Sequence, residues 1–187
     1  MRLTSGTIVR CPRRGGSRRC SFSGLSLPIS ESLGPVRTFE KDYAVLLRSF
    51  NNHGVRYLIV GAFAVGFHAM PRYTKDLDLW VEPTIDNGAR ICRALEEFGF
   101  GSLKIAPNDF ARKGRCVQLG YEPIRVDLIT TIPGVTFSRA WAHRRRGYYG
   151  PQPVFFVGLQ DLVRSKKASG RKQDLADLDV LRSARRS

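Results

Sequence analysis

The segment YLIVGAFAVGFHAMPRYTKDLDLWVEP, residues 57–83, changes its apolar rhythm twice. Tyr57 to Val60 is a short apolar run that reads as a strand, and Gly61 to His68 is rich in small residues and reads as a tight turn into a helix. Leu77, Leu79 and Val81 then alternate with Asp76, Asp78 and Trp80. Successive side chains of a strand point to opposite faces, so both aspartates are expected on one face of a second strand. A strand, a glycine turn, a helix and a strand with two carboxylates is the frame on which the rest of the chain is read.

Upstream, Phe39, Tyr43, Leu46, Leu47 and Phe50 fall at helical spacing from Thr38 onward, and Asn52, His53 and Gly54 form a stop. Downstream, Thr84 is placed to cap a helix whose inner face is read as Ile85, Ala89, Cys92, Leu95 and Phe98, closed by Gly99. Val117–Leu119 and Ile124–Ile129 read as two strands joined by a turn around Glu122 and Pro123, and the second carries Asp127 in IRVDLIT. Pro151 to Val157 is a last strand. Two short helices follow, Leu159–Ala168 and Lys172–Arg182, separated by Ser169 and Gly170. Hairpin-like strands among alternating helices predict an α+β fold, a mixed sheet flanked by helices with a short C-terminal helical segment.

The chain has 187 residues, 42% of them hydrophobic, enough for one compact domain. Residues 1–35 differ in composition: six arginines lie among Gly, Ser and Pro, with Glu31 the single acid. That segment is expected to be a disordered basic tail, or upstream sequence from a misplaced start; an organelle transit peptide or a nucleic-acid-binding arm are its other readings. Residues 36–187 form the domain. The formal net charge is +15 at pH 7, and removal of the tail leaves +10 on the domain. A polyanionic partner or plain solubility both account for such a surplus. Cys11, Cys20, Cys92 and Cys116 show no C-x-x-C spacing, so packing thiols are expected rather than a zinc or redox site. No apolar run approaches the roughly 20 residues needed to span a bilayer, and a cytoplasmic protein without membrane contact is expected.

Three carboxylates on neighbouring strands repel one another in a half-buried site unless cations neutralise them. Asp76, Asp78 and Asp127 therefore point to hard divalent ions. Mg²⁺ suits an open strand edge because it binds through one or two carboxylates together with substrate phosphates. Gly61, at a strand-to-helix junction, lets backbone N–H groups approach a triphosphate closely.

With these residues in view, YLIVGAFAVGFHAMPRYTKDLDLWVEP resembles the DNA polymerase beta-like nucleotidyltransferase superfamily, and within it the small bacterial AbiEii and minimal-nucleotidyltransferase type, often encoded in toxin-antitoxin or phage-defence operons. RVDLIT resembles the strand of the third carboxylate, and DLVRSKKASGRKQDLADLDVL resembles the terminal helical segment with its recurring lysine and acidic pair. The resemblance spans roughly Phe39 to Leu181. It implies a nucleotidyltransferase that moves a nucleoside monophosphate from a nucleoside triphosphate to a hydroxyl acceptor, a tRNA end or a protein side chain, with release of pyrophosphate. It implies two Mg²⁺ ions, with Mn²⁺ as a substitute, held by Asp76, Asp78 and Asp127. It further implies nucleotide binding by Gly61, Ala62, Lys75 and Lys166, with Arg72 a further candidate for phosphate contact. An antitoxin-like module that docks a toxin, or an inactive nucleotide sensor, are the alternatives on the same fold. One departure is Ala62, where the superfamily has Gly or Ser; alanine keeps the N–H and loses both the hydroxyl and the freedom of glycine.

Other residues weigh toward packing or solvation. His68 reads as a capping or packing histidine, and Arg144, Arg145 and Arg146 as a solvated turn that Tyr148 and Tyr149 could turn into an RNA contact. Trp80 alternates onto the aspartate side and fits a base pocket or a packing role equally well. Asp174 and Asp177 read as surface groups or lysine partners.

Overall fold

In the computed structural model the described residues are 39–70, 74, 76–101, 104–120 and 125–184. The basic tail, Arg72, Lys75 and the turn at Glu122 and Pro123 lie outside them. Helix α1 spans Phe39–Asn52, and Tyr43, Leu46, Leu47 and Phe50 of its predicted stripe are buried; the side chain of Phe39 lies outside what is described. Strand β1 (Tyr57–Ile59) leads directly into helix α2 (Gly61–His68), and β2 runs Asp76–Val81. Helix α3 (Ile85–Leu95) begins at Thr84, whose side chain accepts a hydrogen bond from the Asn87 N–H. A π turn, Glu96–Phe100, closes it, with Gly99 at φ +103°.

The inner face of α3 matches the expectation at Leu95, with Cys92 and Phe98 partly buried against the core, and departs from it in the first turns. Gly88, Ile91, Ala94 and Leu95 are buried, whereas Ile85 is 60% exposed. The cause is a close approach: a Cβ on Gly88 would stand 2.3 Å from the carbonyl oxygen of Pro107, so the helix meets α4 (Pro107–Ala111) at its glycine. Asn87 is buried beside it because its side chain bonds both backbone groups of Arg56 and the Glu82 carbonyl.

Strands β3 (Cys116–Leu119) and β4 (Arg125–Ile129) form the expected antiparallel pair. Helix α5 (Phe137–Ala142) follows, unheralded by any apolar period in so short a segment. The arginine run is not a solvated turn: Arg145–Tyr149 is strand β5, antiparallel to β6 (Gln152–Phe156) with Arg145 opposite Phe156 and Tyr149 opposite Gln152. As the edge of the sheet it tolerates charge that a central strand would not. Helices α6 (Leu159–Ser169) and α7 (Lys172–Ala184) end the described chain, with Gly170 left-handed at φ +64° between them.

The six strands form one mixed sheet in the order β3-β4-β2-β1-β6-β5. Strand β2 runs antiparallel to β1 and parallel to β4, and β1 runs parallel to β6. Helix α1 packs against α3 and β6, while α2 lies against β2, α6 and α7. The middle of the sheet is the core: Leu58, Ile59, Leu77, Leu79, Val81 and Leu128 are fully buried. The α+β expectation with a mixed sheet and C-terminal helices holds. Among the described residues no helix is long and apolar enough to cross a membrane.

Candidate functional site

The parallel pairing of β2 with β4 brings the carboxylates together. Asp78 stands opposite Asp127 and Asp76 opposite Arg125, so the alternation that puts Asp76 and Asp78 on one face adds Arg125 and Asp127 beside them. These four side chains line a cavity of about 550 Å³. Its other walls come from the β1–α2 turn, through Gly61 and Ala62, and from the α6–α7 pair, through Lys166 and Asp174.

Gly61 has φ +61°, and a Cβ there would stand 1.9 Å from Oδ2 of Asp78. Glycine is therefore needed twice over, for the left-handed turn and for the space the carboxylate fills. Ala62 is buried at the start of α2, and α2 has no side-chain cap. The turn is tied to the carboxylate strand by the Val60 N–H, which donates to the Asp78 carbonyl at 3.0 Å.

Burial, then the charges of Asp127 and Asp76, pushes the Asp78 carboxyl up to about 6. Arg125 and Lys166 pull against that rise. Burial likewise raises Asp127, opposed first by Arg125. The Arg125 guanidinium spans two acids: Nη2 donates to Asp76 Oδ2 at 2.6 Å and lies 3.3 Å from Asp127 Oδ2. Sequence reading missed Arg125: its spacing puts it on the face of Asp127, but its tie to Asp76 depends on the register of β4 against β2. Its backbone is pinned in turn by Tyr43, whose hydroxyl donates to the Arg125 carbonyl at 3.1 Å and accepts from its N–H at 3.2 Å.

The Oδ1 atoms of Asp76 and Asp127 are buried with no hydrogen-bond partner among the described residues. Unpartnered carboxylate oxygens beside a raised carboxyl leave an unmet demand for positive charge. All-oxygen donors fit a hard divalent ion. Among the described residues no three His, Cys, Asp or Glu side chains converge as a ready-made cage, so water and phosphate oxygens would have to complete the shell.

Lys166 lines the cavity, but its ammonium is engaged by α7. It donates to Asp174 Oδ1 at 2.6 Å and to Asp177 Oδ2 at 2.7 Å. Burial would raise the Asp174 carboxyl, but its hydrogen bonds from Lys166 and Ser169 hold it below the ordinary range. The two acids are lysine partners. Lys75 is outside the described residues. Trp80 is only 1% exposed and packs edge-on to Phe137 at 5.3 Å, so of its two readings the packing role stands. His68 also packs: its Nε2 lies 2.7 Å from the Val157 carbonyl oxygen, and burial lowers its pKa.

No protein-family model matches the sequence, and no curated protein matches it. Solved structures do. The lincosamide antibiotic adenylyltransferase LnuA, in its lincomycin-bound crystal structure, superposes with a TM-score of 0.51 at 14% identity, covering 78% of this chain and 97% of that one. A candidate nucleotidyltransferase from Thermotoga maritima superposes with a TM-score of 0.50 at 13% identity, covering 76% of this chain and 89% of that one. At such identities the likeness is one of fold, and the fold of this chain is nucleotidyltransferase-like.

Proposed function

We propose that the chain is a Mg²⁺-dependent nucleotidyltransferase of the small bacterial minimal-nucleotidyltransferase type, acting in a toxin-antitoxin or phage-defence setting. The observation that carries the reading is the meeting of Asp76, Asp78 and Asp127 on two adjacent parallel strands, with the Gly61 turn pressed against Asp78. In this reading a hydroxyl oxygen of the acceptor attacks the α-phosphorus of a nucleoside triphosphate. A new P–O bond forms, the bond to the β-phosphate oxygen breaks, and pyrophosphate leaves. Asp76 and Asp78 would hold the metal ions together with Asp127. When bound, such ions neutralise phosphate charge and acidify the attacking hydroxyl.

The chain's own groups have separate tasks. Asp127 accepts the proton of the attacking hydroxyl, and its burial makes it a stronger base than an exposed aspartate. The turn at Gly61 and Ala62 offers backbone N–H groups to the triphosphate at the start of α2. Lys166 lines the cavity wall with its ammonium held by Asp174 and Asp177, and braces that wall opposite the acids. The Arg125 bridge between Asp76 and Asp127 favours a second reading, an antitoxin-like or sensing module in which a guanidinium takes part of the place of the metal charge.

Incubation with each labelled nucleoside triphosphate, Mg²⁺, and RNA, protein or small-molecule fractions tests the activity. Label is expected to enter one fraction. The Asp127→Asn variant is nearly isosteric and should keep the fold and the triphosphate affinity while transfer drops about a hundredfold or more. Transfer at the parental rate would remove Asp127 from the role of base. No transfer by the parent, with retained binding of a partner protein, would give the second reading the field.

A further inference from the structure

A second and larger cleft, about 890 Å³, lies across α6 from the carboxylate cavity. The helix is a shared wall: Leu162, Ser165 and Lys166 face the first space, while Leu159, Arg164 and Lys167 face the second. The second cleft is basic. Arg144, Arg145, Arg164, Lys167 and Arg182 line it, drawn from the start of β5, from α6 and from α7. Asp161 is the one acid among its lining residues, and it is fully buried. Its carboxylate is already surrounded, by Arg139 Nε at 3.0 Å, His143 Nδ1 at 3.1 Å and Arg164 Nη1 at 3.5 Å.

That arrangement decides what kind of anion fits. The point where cations converge is taken by Asp161, so a single small anion finds no empty centre there. The remaining charges are spread around the rim: Arg145 and Lys167 are exposed, and Arg182, also exposed, pairs with the exposed Asp179 at 3.2 Å. Arg144 is held rigid on the cleft wall, its guanidinium 4.3 Å from the Trp141 ring centroid and 4.7 Å from that of Phe155. Dispersed, exposed cations along an open cleft match a ligand whose negative charge is repeated along its length. We propose that this cleft binds the phosphate backbone of a nucleic acid strand. Only α6, a helix roughly 10 Å across with its side chains, separates this cleft from the carboxylate cavity. As the seat of an acceptor the cleft rests on the transfer reading above, whereas as a binding site it does not.

The test uses the full chain and fluorescence anisotropy with labelled single strands of roughly 12 nucleotides, RNA and DNA of the same sequence, over a salt series. The probe variant is Arg145→Glu with Lys167→Glu. The control is Arg48→Glu with Arg93→Glu, exposed residues of α1 and α3 outside the cleft lining, which changes net charge by the same amount. The cleft variant should lose at least tenfold in affinity near physiological salt. Its slope of log K against log salt should flatten by about 1.4, for two contacts at 0.7 each. The control should lose less than threefold, and both variants should melt with the parent. Equal losses in cleft variant and control would overturn the proposal, leaving only diffuse attraction by a basic protein. So would parental affinity in the cleft variant, or binding to anionic vesicles with none to either strand. Binding without transfer would leave the cleft standing and remove the transfer reading, so the two fail separately. Preference for RNA or for DNA names the source of the backbone.

Discussion

Burial and the neighbouring Asp127 and Asp76 hold the Asp78 carboxyl at about 6, well above an aspartate in the unfolded chain. The sign of the consequence follows from proton binding. Between about pH 4 and 6 the folded state holds a proton that the unfolded state has lost, so this residue's contribution to stability falls as pH rises through that window. Asp78→Asn removes the charge without removing bulk, and should stabilise the metal-free protein at pH 7.5 by roughly 1–3 kcal/mol. At pH 4.5 most of that gain should be gone. Denaturant unfolding of parent and variant at the two pH values checks it, and a gap that does not shrink on acidification would refute the assignment. Added Mg²⁺ with nucleotide should raise the melting temperature of the parent more than that of the variant. At this scale the sequence was informative wherever a local rule applied. The i, i+2 spacing put Asp76 and Asp78 on one face, and the glycine after a strand marked the turn at Gly61. Arg125 escaped notice because its importance depends on which strand lies next to which, and the register of Asp76 with Arg125 is not a local property.

Among the elements, those with a clean period were legible and those shaped by contact were not. Helix α1 announced its buried stripe, but α3 turned its glycine face inward because Gly88 meets the Pro107 backbone, a contact between segments far from obvious in sequence. Strand β5 was hidden because its arginines look solvated, as they are, while their backbone still pairs with β6. The link between α1 and β4 belongs to the same class. Tyr43 spends its hydroxyl on both backbone groups of Arg125, the first residue of β4, and burial pushes its own pKa up to about 12. Removing the hydroxyl leaves two partly buried backbone groups unpaired while the ring still fills its place. Tyr43→Phe should therefore cost about 1–3 kcal/mol of stability and speed amide exchange at the start of β4. Exchange there at the parental rate would show that the hydroxyl is not what anchors the strand.

For the whole molecule, the carboxylate cavity is closed by residues from both halves of the chain: the sheet supplies the acids, and α6 with α7 supplies the opposite wall. The sequence could name those residues, and the lysine with its two acids, but nothing local says that the C-terminal pair folds back over β2 and β4. What fastens that pair is Lys166, whose ammonium sits between Asp174 and Asp177, all three side chains at most 12% exposed. In Lys166→Met the alkyl stem remains and the charge goes, so two buried carboxylates lose the cation they share, while Arg171 stays at 4.0 Å from Asp174. Breaking a buried pair by removing one partner typically costs about 3–5 kcal/mol, more than deleting the whole cluster. The single variant should thus lose about 3 kcal/mol at neutral pH and exchange amides of α7 faster. Adding Asp174→Asn and Asp177→Asn should return much of that stability, since neutral amides need no cation. Acidification should narrow the gap between parent and single variant. The parental contribution of Asp174, whose pKa is lowered, is lost as pH falls through its folded value. Urea midpoints for parent, single and triple variants at pH 7.5 and pH 4.5 measure all of this. A single variant as stable as the parent at pH 7.5 would mean that apolar packing alone, through residues such as Leu162, Leu178 and Leu181, holds the C-terminal wall of the cavity in place.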